Sequence, residues 1–252
     1  MLLALGCAPQ NSSTATDKTS SSTNADQTPA DCAQGKTETD GTLTIATDSP
    51  AYDPWFSNND PTNGKGYESA VAYAVADQLG FSRDEVTWVK VPFNSSYKPG
   101  AKNFDFDINQ ISITPARAKV VDFSDGYYAA AQAVIALKGS KASEATSLAD
   151  LKDLKLGAQT GTTSLTAIRD VIQPSQDPAV FEDTNAAKQA LLNHQVDAIL
   201  ADLPTAFYIS AVEIPNSRLA AKISNEDRAS QALEATKALV ADVAARRVGA
   251  AA

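Results

Sequence analysis

Ser112, Thr114 and Arg117 lie within one short stretch, Ile111-Ser112-Ile113-Thr114-Pro115-Ala116-Arg117. Together these residue types have the chemistry of an anion site. Thr114 suits a helix N-cap, Pro115 the first helical position and Arg117 the first turn. A hydroxyl, backbone N–H groups at a helix start and a guanidinium fork would then converge on one point. A carboxylate fits such a point, because the fork and the helix start both favour negative charge. The same letters also describe a capped surface helix with a solvated arginine.

Elements on either side must position these groups. Residues 104–113 read as a strand that delivers Ser112. Residues 129–137 form a small, apolar, continuous run that suits a buried strand. Residues 43–47 alternate as a first strand and end at Asp48. Residues 68–79 read as a helix with Val71, Val75 and Leu79 on one stripe, stopped at Gly80. Residues 86–89 are a second strand, and residues 92–102 a loop. Further on, residues 155–158 read as a strand running into Gln159-Thr160-Gly161-Thr162-Thr163. That small-residue loop opens a helix, and the N–H groups of Thr162 and Thr163 could bind an anion. Thr184 reads as the cap of a helix over residues 185–193. Residues 196–201 form a strand that ends at Asp202. In an open α/β sheet, ligands gather beyond the carboxyl ends of the strands. Asp48, Tyr52 and Trp55 are therefore placed where a ligand could be, and Asp202 stands at the end of its own strand. Each also has a plainer reading: Asp48 as a turn residue, Tyr52 and Trp55 as packing, and Asp202 as the cap of a helix with Pro204 in its first turn.

Composition narrows the function further. The net charge is −9 and no basic run or basic–aromatic stretch occurs, which argues against a nucleic-acid partner. One histidine, His194, and two cysteines without ligand spacing make a metal site unexpected, and no cofactor is expected. No apolar run approaches the roughly 20 residues that span a bilayer.

The N-terminal Met1-Leu2-Leu3-Ala4-Leu5-Gly6-Cys7 looks like the end of a secretory signal with a lipobox, small Gly6 preceding Cys7. The basic segment and most of the apolar segment of such a signal are missing, so the true start is expected upstream. Residues 8–31 are Ser, Thr, Asn, Asp, Gln, Ala and Pro with almost no large apolar side chain, the composition of a tether. A lipid-bearing Cys7 on a polar leash describes an exported lipoprotein, and two acyl chains give stable anchoring. Cys32 is then left without a partner.

The ordered set of motifs resembles the family 3 extracytoplasmic solute-binding proteins of polar amino acid ABC importers, similar to periplasmic glutamine- and lysine/arginine/ornithine-binding proteins. The resemblance covers roughly residues 43–215. It is carried by Ala46-Thr47-Asp48, Gly66-Tyr67-Glu68, the Ser112/Thr114/Arg117 stretch, Phe123-Ser124-Asp125-Gly126-Tyr127-Tyr128, Gly157 with Gln159-Thr160-Gly161-Thr162-Thr163, and Asp197-Ala198 with Asp202. It implies an α/β, type II periplasmic-binding-protein-like fold, with two lobes joined by a strand hinge and a ligand in the interlobe cleft. Domain boundaries on this reading are 1–7 for the signal and lipobox, 8–40 for the disordered tether, 41–131 for lobe 1, 132–222 for lobe 2 and 223–252 for an atypical C-terminal helix. By position, the resemblance assigns the α-carboxylate to Arg117, helped by Ser112 and by Thr162 and Thr163. It assigns the α-ammonium to Asp202 and the Gln110 carbonyl. Tyr52, together with Trp55, would cover the ligand, and Asp48, Gln159 and Ala201 would surround its side chain. Arg117 would belong to lobe 1, and Thr163 and Asp202 to lobe 2. The implied partners are a polar amino acid, glutamine-like or basic, an ABC transporter permease, and the membrane through the lipid anchor. The implied location is the outer face of the cell membrane, or the periplasm in a Gram-negative cell.

Two departures stand out. Asn109-Gln110 replaces small residues, which makes a narrower or more polar pocket. After residue 215 the family's closing strand and aromatic helix do not follow. An Ala-rich helical pattern over residues 225–247 stands there instead, as a frameshift or truncation would leave it. The rival reading is an enzyme on the same fold, such as a dehydratase of prephenate- or arogenate-type acids. That chemistry needs a general acid, for which Glu68 and Asp48 are the candidates. Cys7 and His194 make no nucleophile–base pair.

Overall fold

Thr28 precedes Pro29 and Asp31, and their side chains form a capping box around a single turn of helix, α1 (Pro29–Ala33). This computed structural model describes residues 28–223, and the chain falls into two compact units. Of the described residues, unit 1 takes in those up to Ala51, Trp55–Pro92 and Gly100–Gln110, and unit 2 takes in Tyr52–Pro54, Phe93–Pro99 and those from Ile111 to Ile223. The end of the expected tether is structured. Besides α1, the Glu38 N–H donates to Asp105 Oδ1 at 2.6 Å, and Thr39 bridges to Thr42. Cys7, the rest of the tether and the C-terminal helix lie outside the described residues.

Unit 1 is built on β1 (Leu43–Thr47), all five of whose side chains are buried. The helix α2 (Tyr67–Gln78) packs beside it. Next come β2 (Val86–Lys90) and the single turn α3 (Phe93–Ser96), the latter counted with unit 2. The short strand β3 (Phe106–Asp107) completes a parallel sheet of order β2-β1-β3. Ala46 of β1 sits in register with Asp107. The buried stripe of α2 is only partly the expected one: Val71 and Leu79 pack half-buried against the core. Glu68, Ala72 and Ala76 are buried at helical spacing, whereas Val75 is 38% exposed. Small side chains let the helix approach the sheet closely, so the buried face lies one residue along from the valines. Trp55, Phe56, Leu43, Ile45 and Ile108 fill the core. Truncating a side chain such as Ile45 to Ala would cost about 2–5 kcal/mol.

Unit 2 contains a five-stranded sheet. Its strands are β4 (Gln132–Leu137), β5 (Leu156–Gln159), β6 (Ala179–Phe181), β7 (Ala198–Asp202) and β8 (Ser217–Ile223), in the order β6-β5-β7-β4-β8. β5 runs parallel to β6 and β7, and β4 is antiparallel to β7 and β8. Every side chain of β4 is buried, as the apolar run predicts. The helices are α4 (Thr163–Ala167), α5 (Thr184–Leu192) and α6 (Leu203–Tyr208). The cap of α5 is Asp183, which accepts from the Ala186 N–H at 2.7 Å; the expected cap, Thr184, instead donates its hydroxyl to Gln159 Oε1 at 2.9 Å. Two core layers flank the sheet, one containing Leu165, Ile168 and Ile172, the other Leu191, Ile199 and Ile209.

Candidate functional site

The strand expected to deliver Ser112 stops early. Only Phe106–Asp107 pairs, and Gln110 turns the chain with φ 48°. No α-helix follows Pro115; Arg117–Lys119 is one tight turn. The Arg117 N–H donates to Thr114 Oγ1 at 3.2 Å, so Thr114 still caps the turn. The anion site of the sequence reading therefore lacks its helix start, but it keeps its cation.

Arg117 is 8% exposed, which excludes a solvated arginine. Its Nη1 donates to the Ser112 carbonyl and its Nη2 to the Gly161 carbonyl, each at 2.8 Å. The guanidinium carbon lies 4.4 Å from the centre of the Tyr97 ring and 5.5 Å from that of Phe93. These contacts all fall within unit 2, so Arg117 is held there rather than in unit 1. The chain passes between the units more than once, the last time at Gln110/Ile111. The cradle requires glycine at 161, where φ is 73° and an added Cβ would lie 1.8 Å from Asn94 Oδ1. Ser112 Oγ and Thr163 Oγ1 are 3.3 Å apart. Thr162 caps α4, its Oγ1 accepting from the Leu165 N–H at 3.1 Å and donating to the Gln159 carbonyl at 2.7 Å. Ser112, Arg117, Thr162 and Thr163 are thus brought together.

Asp202 ends β7 directly across from Gln132 of β4. Its side chain makes no capping bond to α6. Its Oδ1 accepts instead from Gln132 Nε2. Gln132 is 1% exposed, and its Oε1 accepts from the Ser164 hydroxyl at 2.5 Å. Sequence reasoning missed Gln132. The signal was one amide inside an otherwise apolar run. It also missed Phe93 and Tyr97, an i, i+4 aromatic pair in a stretch read as loop. Tyr52 belongs to unit 2, with Lys188 Nζ 5.5 Å from the centre of its ring; Lys188 is itself paired with Glu213 at 2.8 Å.

Gln159 also lies in unit 2, its Oε1 accepting from the Thr184 hydroxyl at 2.9 Å; the remaining candidates lie in unit 1. Trp55 is 3% exposed, in the core, edge-on to Tyr67. Asp48 Oδ1 accepts from the Ser49 N–H at 2.7 Å, the local bond of a turn residue. Glu68 is fully buried and takes the Gln110 backbone N–H at 2.8 Å on Oε1 and the Gln110 amide on Oε2. Both oxygens of Asp107 are buried without a hydrogen-bond partner among the described residues. Burial, then the charges of Glu68 and Asp48, push its carboxyl up to about 8, against a weaker pull from Lys102. Among the described residues no group of His, Cys, Asp and Glu could hold a metal ion.

Residues 43–209 match the model of the bacterial extracellular solute-binding proteins, family 3. The chain belongs to this family. A probable histidine-binding protein of Campylobacter jejuni is 29% identical over 69% of this chain and 65% of its own length. The glutamine-binding protein of a Bacillus subtilis ABC transporter is 30% identical over 58% of this chain and 54% of its own length. The family 3 chain thus spans roughly half to two thirds of these curated relatives. Among solved structures, an ancestral arginine-binding protein bound to arginine superposes with a TM-score of 0.60 at 27% identity, covering 72% of this chain and 79% of the other. An ancestral amino acid-binding protein described as a precursor of cyclohexadienyl dehydratase gives 0.60 at 28% identity, covering 73% of this chain and 77% of the other. The fold is the type II periplasmic-binding-protein fold of these neighbours. The relatives carry the names of binding proteins.

Proposed function

We propose that this protein captures a polar L-amino acid outside the cytoplasm and delivers it to the permease of an ABC importer. One observation carries the reading. Arg117 is a buried guanidinium held by two carbonyls and two aromatic rings, and it forms no ion pair among the described residues. A charge fixed in place by neutral groups remains available to an anion, and a planar fork suits a carboxylate. Arg117 takes the α-carboxylate, with Ser112, Thr162 and Thr163 beside it. Asp202 takes the α-ammonium. A zwitterion loses two hydration shells on binding, so each of its charges needs a partner. Relatives named for histidine, glutamine and arginine make an amide or cationic side chain the preferred class.

Titration calorimetry of the full chain against the twenty amino acids tests the reading. Binding of one or a few polar amino acids is expected. Binding of none overturns it. The same preparation should give no product from prephenate or arogenate; turnover lost in Glu68→Gln would favour the dehydratase instead.

The proposal includes the anchor. Gly6-Cys7 ahead of a polar leash supports diacylation at Cys7. Expressed with a completed signal in a lipoprotein-processing host, the protein should partition with membranes and Cys7→Ala should not. Equal partitioning of the two forms would remove the anchor from the reading.

A further inference from the structure

A carboxylate that binds an ammonium must be held still, because an anchor left to rotate loses entropy and geometry on every encounter. In unit 2, three side chains from three elements form one buried line: Ser164 of α4, Gln132 of β4 and Asp202 at the end of β7. Ser164 and Gln132 are both buried, and Gln132 is almost wholly so. An amide in that position has one acceptor and two donors. The Ser164 hydroxyl takes up the acceptor Oε1, which turns the donor Nε2 toward Asp202. Antiparallel pairing sets Gln132 and Asp202 opposite each other, so the reach is fixed by the sheet itself. The amide is neutral. It orients the carboxylate without cancelling its charge, as a lysine or arginine in its place would. Ser164 also directly follows Thr163, whose hydroxyl meets Ser112. The line therefore runs from the loop that holds Arg117 to the anchor for the opposite ligand charge.

We infer that Gln132 is a positioning residue for amine recognition, holding Asp202 in the orientation that receives the α-ammonium, with Ser164 fixing which way its amide points. The inference rests on the amino acid-binding reading above. It adds that the preference for an α-amino group is set by a residue that itself touches no ligand.

The test uses the full chain, the tightest-binding of the twenty amino acids, and the analogue of that amino acid lacking the α-amino group. Calorimetry compares wild type, Gln132→Leu, Ser164→Ala, Asp202→Asn and the Gln132→Leu/Asp202→Asn double variant. Loss of a hydrogen bond to a charged group should weaken amino acid binding by Gln132→Leu about 10-fold or more. The amine-free analogue should bind Gln132→Leu as it binds wild type. Ser164→Ala should show the same selective loss, smaller in size, and it carries the test if Gln132→Leu does not fold. In the Asp202→Asn background, Gln132→Leu should cost almost nothing more, because the group it positions is already gone. A merely structural role would weaken both ligands alike and would add to the Asp202→Asn loss; either result overturns the inference. So does an unchanged preference for the amine in both single variants. If Asp202→Asn is damaging while Gln132→Leu is silent, this inference fails and the binding reading stands. If wild type binds no amino acid, both fall.

Discussion

The two units treat buried charge in opposite ways. In unit 2, Arg117 is met by carbonyls and rings, and Asp202 by an amide. In unit 1, carboxyl groups gather: Glu68 and Asp48 act on Asp107, which has no hydrogen-bond partner among the described residues. Carbonyl dipoles and rings hold the guanidinium in unit 2, whereas at Asp107 burial and two like charges outweigh the pull of Lys102 and push the carboxyl up to about 8.

The largest effect should come from removing a charge in unit 2. Arg117→Ala or Asp202→Asn leaves a ligand charge unpaired, at a cost of about 2–5 kcal/mol. In calorimetry that is on the order of 30-fold to several thousand-fold in Kd. Arg117→Lys should also bind poorly, since a point charge cannot replace the fork. Normal binding by Asp202→Asn would leave that carboxylate with a structural role alone.

In unit 1 the corresponding experiment is Asp107→Asn, read as stability against pH. The folded protein keeps the Asp107 proton up to about pH 8, whereas the ordinary value for an aspartate is 3.8. Between these values the folded state binds more protons than the unfolded state. Stability is therefore highest, on this account, below the unfolded value, and it falls as pH rises through the window, by at most about 1.4 kcal/mol per pH unit. Urea melts from pH 4 to pH 8 should show that decline in wild type and a flatter profile in Asp107→Asn. Matching profiles would mean that Asp107 has no raised pKa.

Gly161→Ala should disturb the Arg117 cradle through its backbone. The left-handed φ and the collision with Asn94 together should cost about 1–3 kcal/mol in thermal or urea melts and weaken amino acid binding as well. Full stability would mean that the loop relaxes freely. The smallest effect is expected from Glu68→Gln. It removes one of the charges acting on Asp107 but not its burial, which is the larger cause. The falling limb of the stability profile should move to lower pH without disappearing.

How much of this could be read in advance differs from element to element. β1 and β7 were legible because short runs of apolar and β-branched residues end at an aspartate. β4 was legible as a continuous apolar run, and α2 as a helix. The buried stripe of α2 was partly misread, because alanines make no strong periodic signal while valines do, even when Val75 faces solvent. The strand before Ser112 was overextended, since Gln110 gives no local warning that it will turn the chain at positive φ. Residue type alone left Arg117 and Asp202 with plainer readings as a solvated arginine and a helix cap; it was the ordered set of family-like motifs that nominated Arg117, Ser112, Thr163 and Asp202.

The sequence by itself determined the α/β character, the family and the identity of the charged groups, since these depend on local periodicity and on motif order. Only the tertiary structure decided which groups meet. Gly161 and Tyr97 reach Arg117 from segments distant in the chain, and Gln132 reaches Asp202 only because β4 and β7 pair in one particular register. It likewise decided that the Asp107 carboxyl is pushed up to about 8, since burial and the approach of Glu68 and Asp48 are consequences of packing and have no signature in the order of the residues.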